Sequence, residues 1–431
     1  MNYEALLDAS IARRDASSIE RIARSRLLAI MQGLRDCQLV IEDGSGARTL
    51  GTAAARPEDT LHARIRIHDP AFYRMAALNG SVGAGEAFMD GLWECDDLVA
   101  LIRMLVRNRD LLDAMETGLA RLGGWAMRTW HALCRNTEAG SRRNIAAHYD
   151  LGNALFALFL DDNLMYSAAL YERADDSLEV AQTRKIDRIC RKLALDPSHH
   201  VVEIGSGWGG FALHAAKHYG CRVTTATISK EQHELAVERV ARAGLGDRVR
   251  VLLEDYRDLG GRYDRLVSIE MIEAVGHQYL DTYCRKVDGL LAADGAALIQ
   301  AITIEDHRYA KALDAVDFIK RHIFPGSFIP STSAILGAFA RNSDLRLFNL
   351  EDIGASYAST LRTWRERFLA QRDAVGALGY PERFVRMWEF YLAYCEGGFL
   401  ERSIGTAQML LTKPRSRLAQ FTPALPPAAA A

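Results

Sequence analysis

The sequence predicts an α/β protein: a Rossmann-like domain with a helical lid, preceded by a small α+β domain. Between residues 200 and 302, strand-like runs alternate with helical segments, which is typical of a parallel sheet covered by helices on both faces. A glycine-rich turn at residues 205–210 follows the first of these strands, as in nucleotide-binding folds. Beyond Ile304 the pattern is mainly helical, which predicts a lid over the strand ends.

The predicted elements follow from hydrophobic periodicity and turn residues. The N-terminal part has a helix at 19–34, strands at 38–41 and 61–67, and helical segments from 98 to about 135. The Rossmann-like part has strands at 201–204, 222–226, 249–253, 265–269 and 296–302, with helices at 211–219 and 230–243. The lid has helices at 310–323, 332–340, 360–374 and 381–407.

These elements divide the chain into four parts. We expect an N-terminal domain for lipid or dimer contact at 1–120, a basic helical linker at 121–143, the Rossmann-like domain with its lid at 144–420, and a disordered tail at 421–431.

Composition excludes several classes of protein. Lys and Arg number 53 against 55 Asp and Glu, a balance that argues against nucleic acid as a partner because a phosphate-backbone binder carries a basic excess. Acids at Glu4 and Asp8 do not suit a signal peptide, and the uncharged run at 322–340 contains Pro325 and Pro330, unlike a spanning helix. The seven cysteines are scattered without CxxC spacing, so no zinc site, other metal site or disulfide framework is predicted. We therefore expect a cytoplasmic protein.

One segment departs from this neutral average. Residues 101–143 carry eight arginines and four acids, and Arg121, Arg128, Arg135 and Arg142 recur every seven residues along one predicted helical face. Such a face is either simply solvated or a contact for a phospholipid surface. The second interpretation predicts transient, peripheral binding at the inner face of the cell membrane.

The glycine turn leaves two interpretations open. Its spacing fits the dinucleotide pattern G-x-G-x-x-G, but the second strand ends without the acid that would bind a ribose. Glu203, two residues before the first glycine, gives the pattern EIGSGWG, which resembles the loop of class I S-adenosylmethionine methyltransferases. The acid expected after the third strand, for the adenine amine, is present in Glu254-Asp255-Tyr256. S-adenosylmethionine is therefore the predicted cofactor.

Four longer motifs resemble one family, the cyclopropane-fatty-acid-phospholipid synthases, over residues 63–414. They are GAGEAFMDGLWEC at 83–95, HYDLGN at 148–153, EIGSGWGG at 203–210 and HIFPG at 322–326. The resemblance implies transfer of the methyl of S-adenosylmethionine to the cis double bond of a phospholipid acyl chain, followed by ring closure. It also implies a carbocation from which bound bicarbonate removes a proton.

Site residues are carried over from that resemblance. The implied bicarbonate ligands are the backbone amides of Ala168 and Ile302 with the side chains of Glu273, Gln300 and Tyr357. Ala168 stands where many members have Cys, and Gln300 where many have His, although an amide can still donate or accept a hydrogen bond. The implied cofactor contacts are Tyr166, Ser167, Gly205, Gly207, Thr227, Ile228, Gln232, Asp255 and Tyr256, to which the sequence pattern adds Glu203.

Alternatives remain open for the product, the protein class and individual residues. If the base were displaced, a methylene- or methyl-branched chain would form instead of a ring. A lipid-binding protein with an inactive methyltransferase site is the second alternative. Glu270 is interpreted as an acid favoured by a helix N-terminus rather than as a site residue.

Overall fold

A computed structural model describes residues 15–113 and 151–421. The helices there are α1 (Ser18–Met31), α2 (Ala71–Met89), α3 (Leu98–Arg107), α4 (Arg109–Asp113), α5 (Asn153–Ala157), α6 (Leu178–Lys192), α7 (Gly210–Tyr219), α8 (Lys230–Arg242), α9 (Leu280–Leu290), α10 (Tyr309–Asp314), α11 (Thr332–Asn342), α12 (Gly354–Ala370), α13 (Arg372–Ala377) and α14 (Glu382–Leu400). Short 3-10 turns cover Pro57–Asp59, Ile272–Ala274, His277–Tyr279 and Asp306–Arg308, and a π-helical turn covers Ile319–Ile323.

The strands form two sheets. They are β1 (Cys37–Asp43), β2 (Gly46–Leu50), β3 (Leu61–Ile67), β4 (Trp93–Cys95), β5 (His200–Ile204), β6 (Arg222–Thr227), β7 (Val249–Leu253), β8 (Tyr263–Ile269), β9 (Leu291–Ile304), β10 (Arg346–Asp352) and β11 (Ile404–Thr412).

The larger sheet confirms the Rossmann-like prediction. Its order is β10-β11-β9-β8-β5-β6-β7, and the strands from β9 to β7 run parallel while β10 and β11 pair antiparallel. In the central strand β5, Val201, Val202 and Ile204 are fully or almost fully buried, as a strand covered on both faces requires. The order reverses beside β5, and this is where an open parallel sheet leaves a crevice for a ligand.

The smaller sheet, of order β2-β1-β3-β4, belongs to the N-terminal part and packs with α2 and α3. β1 and β2 form a hairpin that turns at residues 43–46, and β3 occupies the predicted range. The predicted small α+β unit is therefore present.

The N-terminal part and the lid share one hydrophobic core. Helix α3 lies against α14, where a Cβ at Gly397 would come within 2.7 Å of Ile102 Cγ2. At the end of α14, Glu401 accepts hydrogen bonds from Arg103 Nε at 2.6 Å and Arg107 Nε at 2.8 Å. Glycine at position 397 thus permits close packing that the two arginine pairs support.

Two predicted lid helices are wrong in part. The helix predicted at 381–407 ends at Leu400, and residues 404–407 belong to β11, which pairs with β9 and β10. Arg402 has a φ of +53°, a left-handed conformation that breaks the helix before the strand begins. The helix predicted at 310–323 is interrupted, because α10 ends at Asp314 and only a π-helical turn at Ile319–Ile323 follows. Helix α2 and strands β4 and β10 were not predicted.

Several predictions fall outside the described residues. The linker with Arg121, Arg128, Arg135 and Arg142 lies within 114–150, and all of the tail except residue 421 lies beyond the last described residue. Within 15–113 and 151–421, no helix combines the length and apolar character needed to cross a bilayer.

Candidate functional site

A cavity of about 150 Å³ lies at the carboxyl ends of β5, β6, β7 and β8. Parallel strands deliver their following loops to this one edge, which is why residues distant in sequence meet there. The cavity is lined by all ten predicted cofactor contacts: Tyr166, Ser167, Glu203, Gly205, Gly207, Thr227, Ile228, Gln232, Asp255 and Tyr256.

The glycine loop owes its shape to backbone conformations that other residues rarely adopt. Gly205, Gly207 and Gly209 have φ values of +92°, +48° and +85°. The N–H of Gly205 donates to the Ala226 carbonyl at 3.0 Å, which ties the loop to β6. A Cβ at Gly205 would lie 3.2 Å from Met271 Cγ, so a side chain there would crowd Met271.

Glu203 is buried at the floor of the cavity, where Thr225 Oγ1 donates to its Oε2 at 2.6 Å. Burial raises the pKa of Glu203 to about 8. Nearby, Lys185 is fully buried and donates from Nζ to Ser167 Oγ at 2.7 Å, and burial lowers its pKa to about 8. Burial disfavours the ionised form of Glu203, and a cationic ligand bound here would stabilise that form.

The acid after β7 has its own partner. Arg257 donates to both carboxylate oxygens of Asp255, from Nε at 2.8 Å and Nη2 at 2.7 Å. The same guanidinium lies 5.5 Å from the centre of the Tyr256 ring. Asp255 therefore faces the cavity in a fixed orientation. It lies next to an aromatic surface that suits the adenine base.

The residues present fit S-adenosylmethionine. The cavity combines a glycine-rich loop, the buried carboxyls of Glu203 and Asp255, and the ring of Tyr256, whose buried hydroxyl has no hydrogen-bond partner among the described residues. These groups suit an adenine and an amino-acid chain that carries positive charge. Residues 15–113 and 151–421 contain no group of three or more His, Cys, Asp or Glu placed to hold a metal ion.

A second, larger cavity of about 400 Å³ meets the first at Tyr166, Glu270 and Ala274. Its wall is mostly apolar and is built from the lid, the N-terminal helix α3 and the end of β9, with side chains that include Ile102, Val106, Ile302, Phe324, Phe328, Leu361 and Phe399. Such a lining suits a hydrocarbon chain.

Glu270, at the junction, is the centre of a buried hydrogen-bond network. The N–H of Ala168 donates to its Oε1 at 2.9 Å, and Gln300 Nε2 donates to the same oxygen at 2.8 Å. Tyr357 Oη donates to Oε2 at 2.8 Å. Three of the five predicted bicarbonate ligands therefore bind the carboxylate of a residue that sequence reasoning assigned to a helix end.

A buried lysine sets the direction of this network. Lys192 Nζ, which can only donate, gives a hydrogen bond to Gln408 Oε1 at 2.9 Å. The Gln408 amide must then donate from Nε2, and it does so to Gln300 Oε1 at 3.0 Å. Gln300 is left with its Nε2 directed at Glu270, so the replacement of His by Gln keeps a donor at this position.

The remaining two predicted ligands pair with each other. The N–H of Ile302 donates to Glu273 Oε1 at 2.5 Å, while Glu273 Oε2 is buried with no hydrogen-bond partner among the described residues. Burial, followed by repulsion from Glu270, raises the pKa of Glu273 to about 8. Burial also raises the pKa of Glu270, but its three donors oppose that rise, so the negative charge of the pair resides on Glu270.

The predicted bicarbonate site is therefore corrected. Ala168, Gln300 and Tyr357 converge as expected, but they converge on Glu270, and Ile302 is engaged by Glu273. A second anion beside the Glu270 carboxylate would meet repulsion and would lack these donors. The five residues do not fit bicarbonate in this arrangement.

Sequence comparison decides the family. A family model described as mycolic acid cyclopropane synthetase matches residues 136–409, more than half of the chain. The chain belongs to this mycolic acid cyclopropane synthetase family.

Two relatives of the synthetase family match most of the chain. The tuberculostearic acid methyltransferase UfaA1 of Mycobacterium tuberculosis is 37% identical over 414 residues, with 94% of each chain covered. The cyclopropane-fatty-acyl-phospholipid synthase of Escherichia coli K12 is 38% identical over 356 residues, covering 81% of this chain and 88% of that protein. The chain therefore resembles two enzymes whose names state different lipid products.

Solved structures of the synthetase family share the fold. Mycolic acid cyclopropane synthase CmaA1, in complex with SAH and CTAB, superimposes with a TM-score of 0.59 and 31% identity, covering 63% of this chain and 98% of that one. With this match and the family assignment, the protein is an S-adenosylmethionine-dependent methyltransferase that acts on lipid acyl chains.

Proposed function

We propose that this protein transfers the methyl group of S-adenosylmethionine to the cis double bond of an unsaturated phospholipid acyl chain and closes a cyclopropane ring. The observation that carries the proposal is the junction of the two cavities at Tyr166, Glu270 and Ala274. One cavity has the groups expected for the cofactor, and the other is an apolar space into which an acyl chain fits. Their meeting point is where a methyl donor and a double bond would face each other.

The two cavities supply what this chemistry requires. When bound, S-adenosylmethionine supplies an electrophilic methyl group, and an alkene is a weak nucleophile toward it. Holding the methyl group and the double bond in line lowers the activation barrier by roughly 7–11 kcal/mol. The apolar walls keep water from the carbocation that follows methyl transfer.

Aromatic faces at the junction suit that carbocation. The ring centres of Tyr166 and Phe324 are 6.5 Å apart, and those of Phe324 and Tyr391 are 6.1 Å apart. Tyr166 and Tyr391 share a hydrogen bond of 2.8 Å between their hydroxyls, which fixes both rings. Ring faces of this kind attract a positive charge, most strongly in a dry site.

Basic side chains on the wall of the larger cavity, here named the acyl cavity, support a phospholipid substrate rather than a neutral lipid. Arg109, Arg308 and Lys311 line it, and Arg308 also pairs with Glu305 at 3.4 Å. A lipid phosphate is the anion that an acyl chain would bring to this wall.

The product without a ring is the second candidate, and a specific observation favours it. The carboxylate of Glu270 takes three of the groups predicted to hold the base, and the tuberculostearic acid methyltransferase resembles this chain over 94% of its length. A hydride shift to the first cation, followed by proton loss from the new methyl group, would give a methylene branch. A saturated methyl branch would need a reductant in addition.

We further propose a cytoplasmic protein that contacts the inner face of the membrane transiently, with lipid or homodimer contact through its N-terminal domain. The arginine-rich linker and the near-neutral total charge support local, reversible attraction to anionic lipids.

Product analysis tests the proposal. Purified protein is incubated with S-adenosylmethionine and vesicles of a monounsaturated phosphatidylglycerol, and the recovered fatty acids are examined by proton NMR. The ring and methylene products have the same mass, so their proton resonances are used to distinguish them. Upfield ring protons support cyclopropanation, and vinylidene protons support the second candidate. Binding of S-adenosylhomocysteine without any lipid product would reject both and favour a lipid-binding protein.

A further inference from the structure

We infer that Glu270 is the proton acceptor of the reaction, a catalytic base built into the chain at the position predicted for bicarbonate. This inference rests on the proposed methyl transfer to an acyl double bond. It predicts that turnover needs no added bicarbonate.

The three groups that surround Glu270 all present donors. The Ala168 N–H can only donate, and the hydrogen bonds from Lys192 through Gln408 leave Gln300 with its Nε2 toward Glu270. Burial and the neighbouring Glu270 charge raise the pKa of Tyr357, so its hydroxyl stays protonated and donates. Three donors directed at one carboxyl stabilise its ionised form, which is the form that accepts a proton.

The backbone at Glu270 supports a functional rather than an incidental placement. Glu270 has a φ of +50°, in the left-handed region that glutamate seldom occupies, and it directly follows the end of β8. Strain of this kind persists where surrounding contacts hold it, and it concentrates at functional sites. Here the conformation directs the carboxyl toward the donors at the junction.

Position separates Glu270 from Glu273. Glu270 lines both cavities, whereas Glu273 lines only the acyl cavity and accepts a hydrogen bond from the Ile302 N–H. The carboxylate that borders both the methyl donor and the acyl chain is the one placed to receive a proton from the transferred methyl group.

The step balances without a further reactant. The bond from sulfur to the methyl carbon breaks, its electron pair leaves with S-adenosylhomocysteine, and the methyl carbon bonds to one alkene carbon, so the other becomes a cation. Glu270 then takes a proton from the new methyl group, and the freed electron pair closes onto the cation. The protonated carboxyl returns this proton to water when product leaves.

Bicarbonate dependence of the wild-type enzyme provides the first test. Methylation of phosphatidylglycerol vesicles is measured in carbon-dioxide-free buffer with and without added sodium bicarbonate. We expect rates equal within about twofold, whereas removal of a positioned base would cost at least about a hundredfold. A wild-type rate that collapses without bicarbonate and returns with it would overturn the inference.

Glu270→Gly provides the second test, because it removes the carboxylate, frees its three donors and relieves the positive φ. We expect at least about a hundredfold lower turnover, partly restored by bicarbonate, with unchanged S-adenosylhomocysteine affinity. Glu238→Gln, at an exposed position on α8, is the matched control and should keep wild-type turnover.

Titration calorimetry with sodium bicarbonate needs no lipid turnover. We expect binding to Glu270→Gly and none to wild type; equal binding to both would contradict the inference. If wild type methylates no phospholipid at all, the proposed function fails, and this titration still decides whether Glu270 fills the anion position.

Discussion

Glu270 and Glu273 are three residues apart, yet their surroundings give them different charges. Three donors face Glu270, and one backbone N–H faces Glu273. At neutral pH the carboxyl of Glu273 therefore stays mostly neutral, and it acquires charge only as the pH passes about 8. An ionised Glu273 would repel the charge on Glu270 and make Glu270 a stronger base.

Glu273→Gln removes this repulsion. Above pH 8 we expect turnover at least about tenfold below wild type, with cofactor affinity unchanged. The deficit should shrink at lower pH, because Glu273 of the wild type becomes neutral as well. Rate profiles from pH 6 to 9 would check this, and a deficit that does not vary with pH would contradict the assigned role.

Glu203 gives a prediction about stability. Its pKa is raised from 4.5 to about 8 in the folded protein, so its contribution to stability is complete below pH 4.5 and is lost as the pH rises through about 8. Glu203→Gln cannot ionise and should lack this loss. Without cofactor, the Tm of the variant minus that of wild type should increase by about 3 °C or more when the pH is raised from 5 to 8. Calorimetric scans that show no gain would count against the raised pKa.

Single residues also mark the limit of sequence reasoning. The ten cofactor contacts could be named because glycine spacing and strand ends place them at one sheet edge. For Glu270 the sequence indicates only a structural role, because its hydrogen-bond donors come from residues 168, 300 and 357 and cannot be inferred from neighbours in sequence. Lys192 and Gln408, which fix the direction of the network, carried no motif.

At the scale of elements, the loop between β5 and α7 depends on glycine for two separate reasons. Gly205 needs a positive φ, and it also needs free space next to Met271. Helix α8 ends near Gly244, which has a φ of +68°, but a Cβ added there would have no atom within 4 Å. Substitution at Gly244 therefore tests backbone strain alone, whereas substitution at Gly205 tests strain together with crowding at the cofactor cavity.

Gly205→Ala should lower the affinity for S-adenosylhomocysteine at least about tenfold, because the loop must move out of its binding position. Gly244→Ala carries a similar conformational cost and should change affinity by less than about twofold. Calorimetric titration of both variants checks the difference. Equal losses in the two would point to general destabilisation instead.

Strands β10 and β11 show why the lid was harder to predict than the Rossmann-like sheet. Residues 406–412 are buried, and the alternating pattern of an exposed strand is absent because β11 lies between β9 and β10. Its sequence follows the apolar helix α14 without a proline to separate them. The parallel strands, in contrast, are punctuated by glycines and by charged helices.

At the scale of the whole molecule, membrane contact is predicted to depend on the linker. Replacing Arg121, Arg128 and Arg135 together by Gln should weaken binding to anionic vesicles by about tenfold or more, since each basic residue near such a surface contributes about 1 kcal/mol. Cosedimentation with phosphatidylglycerol vesicles at low salt measures the change. Equal sedimentation of variant and wild type would assign this segment to an ordinary solvated face.

The contact between α3 and α14 has a consequence for how lipid preference can change. Ile102 and Val106 of α3 border the acyl cavity, although the cofactor loop lies about a hundred positions later in the chain. We therefore expect that mutations in α3 change which acyl chains fit this cavity without altering the residues that line the cofactor cavity.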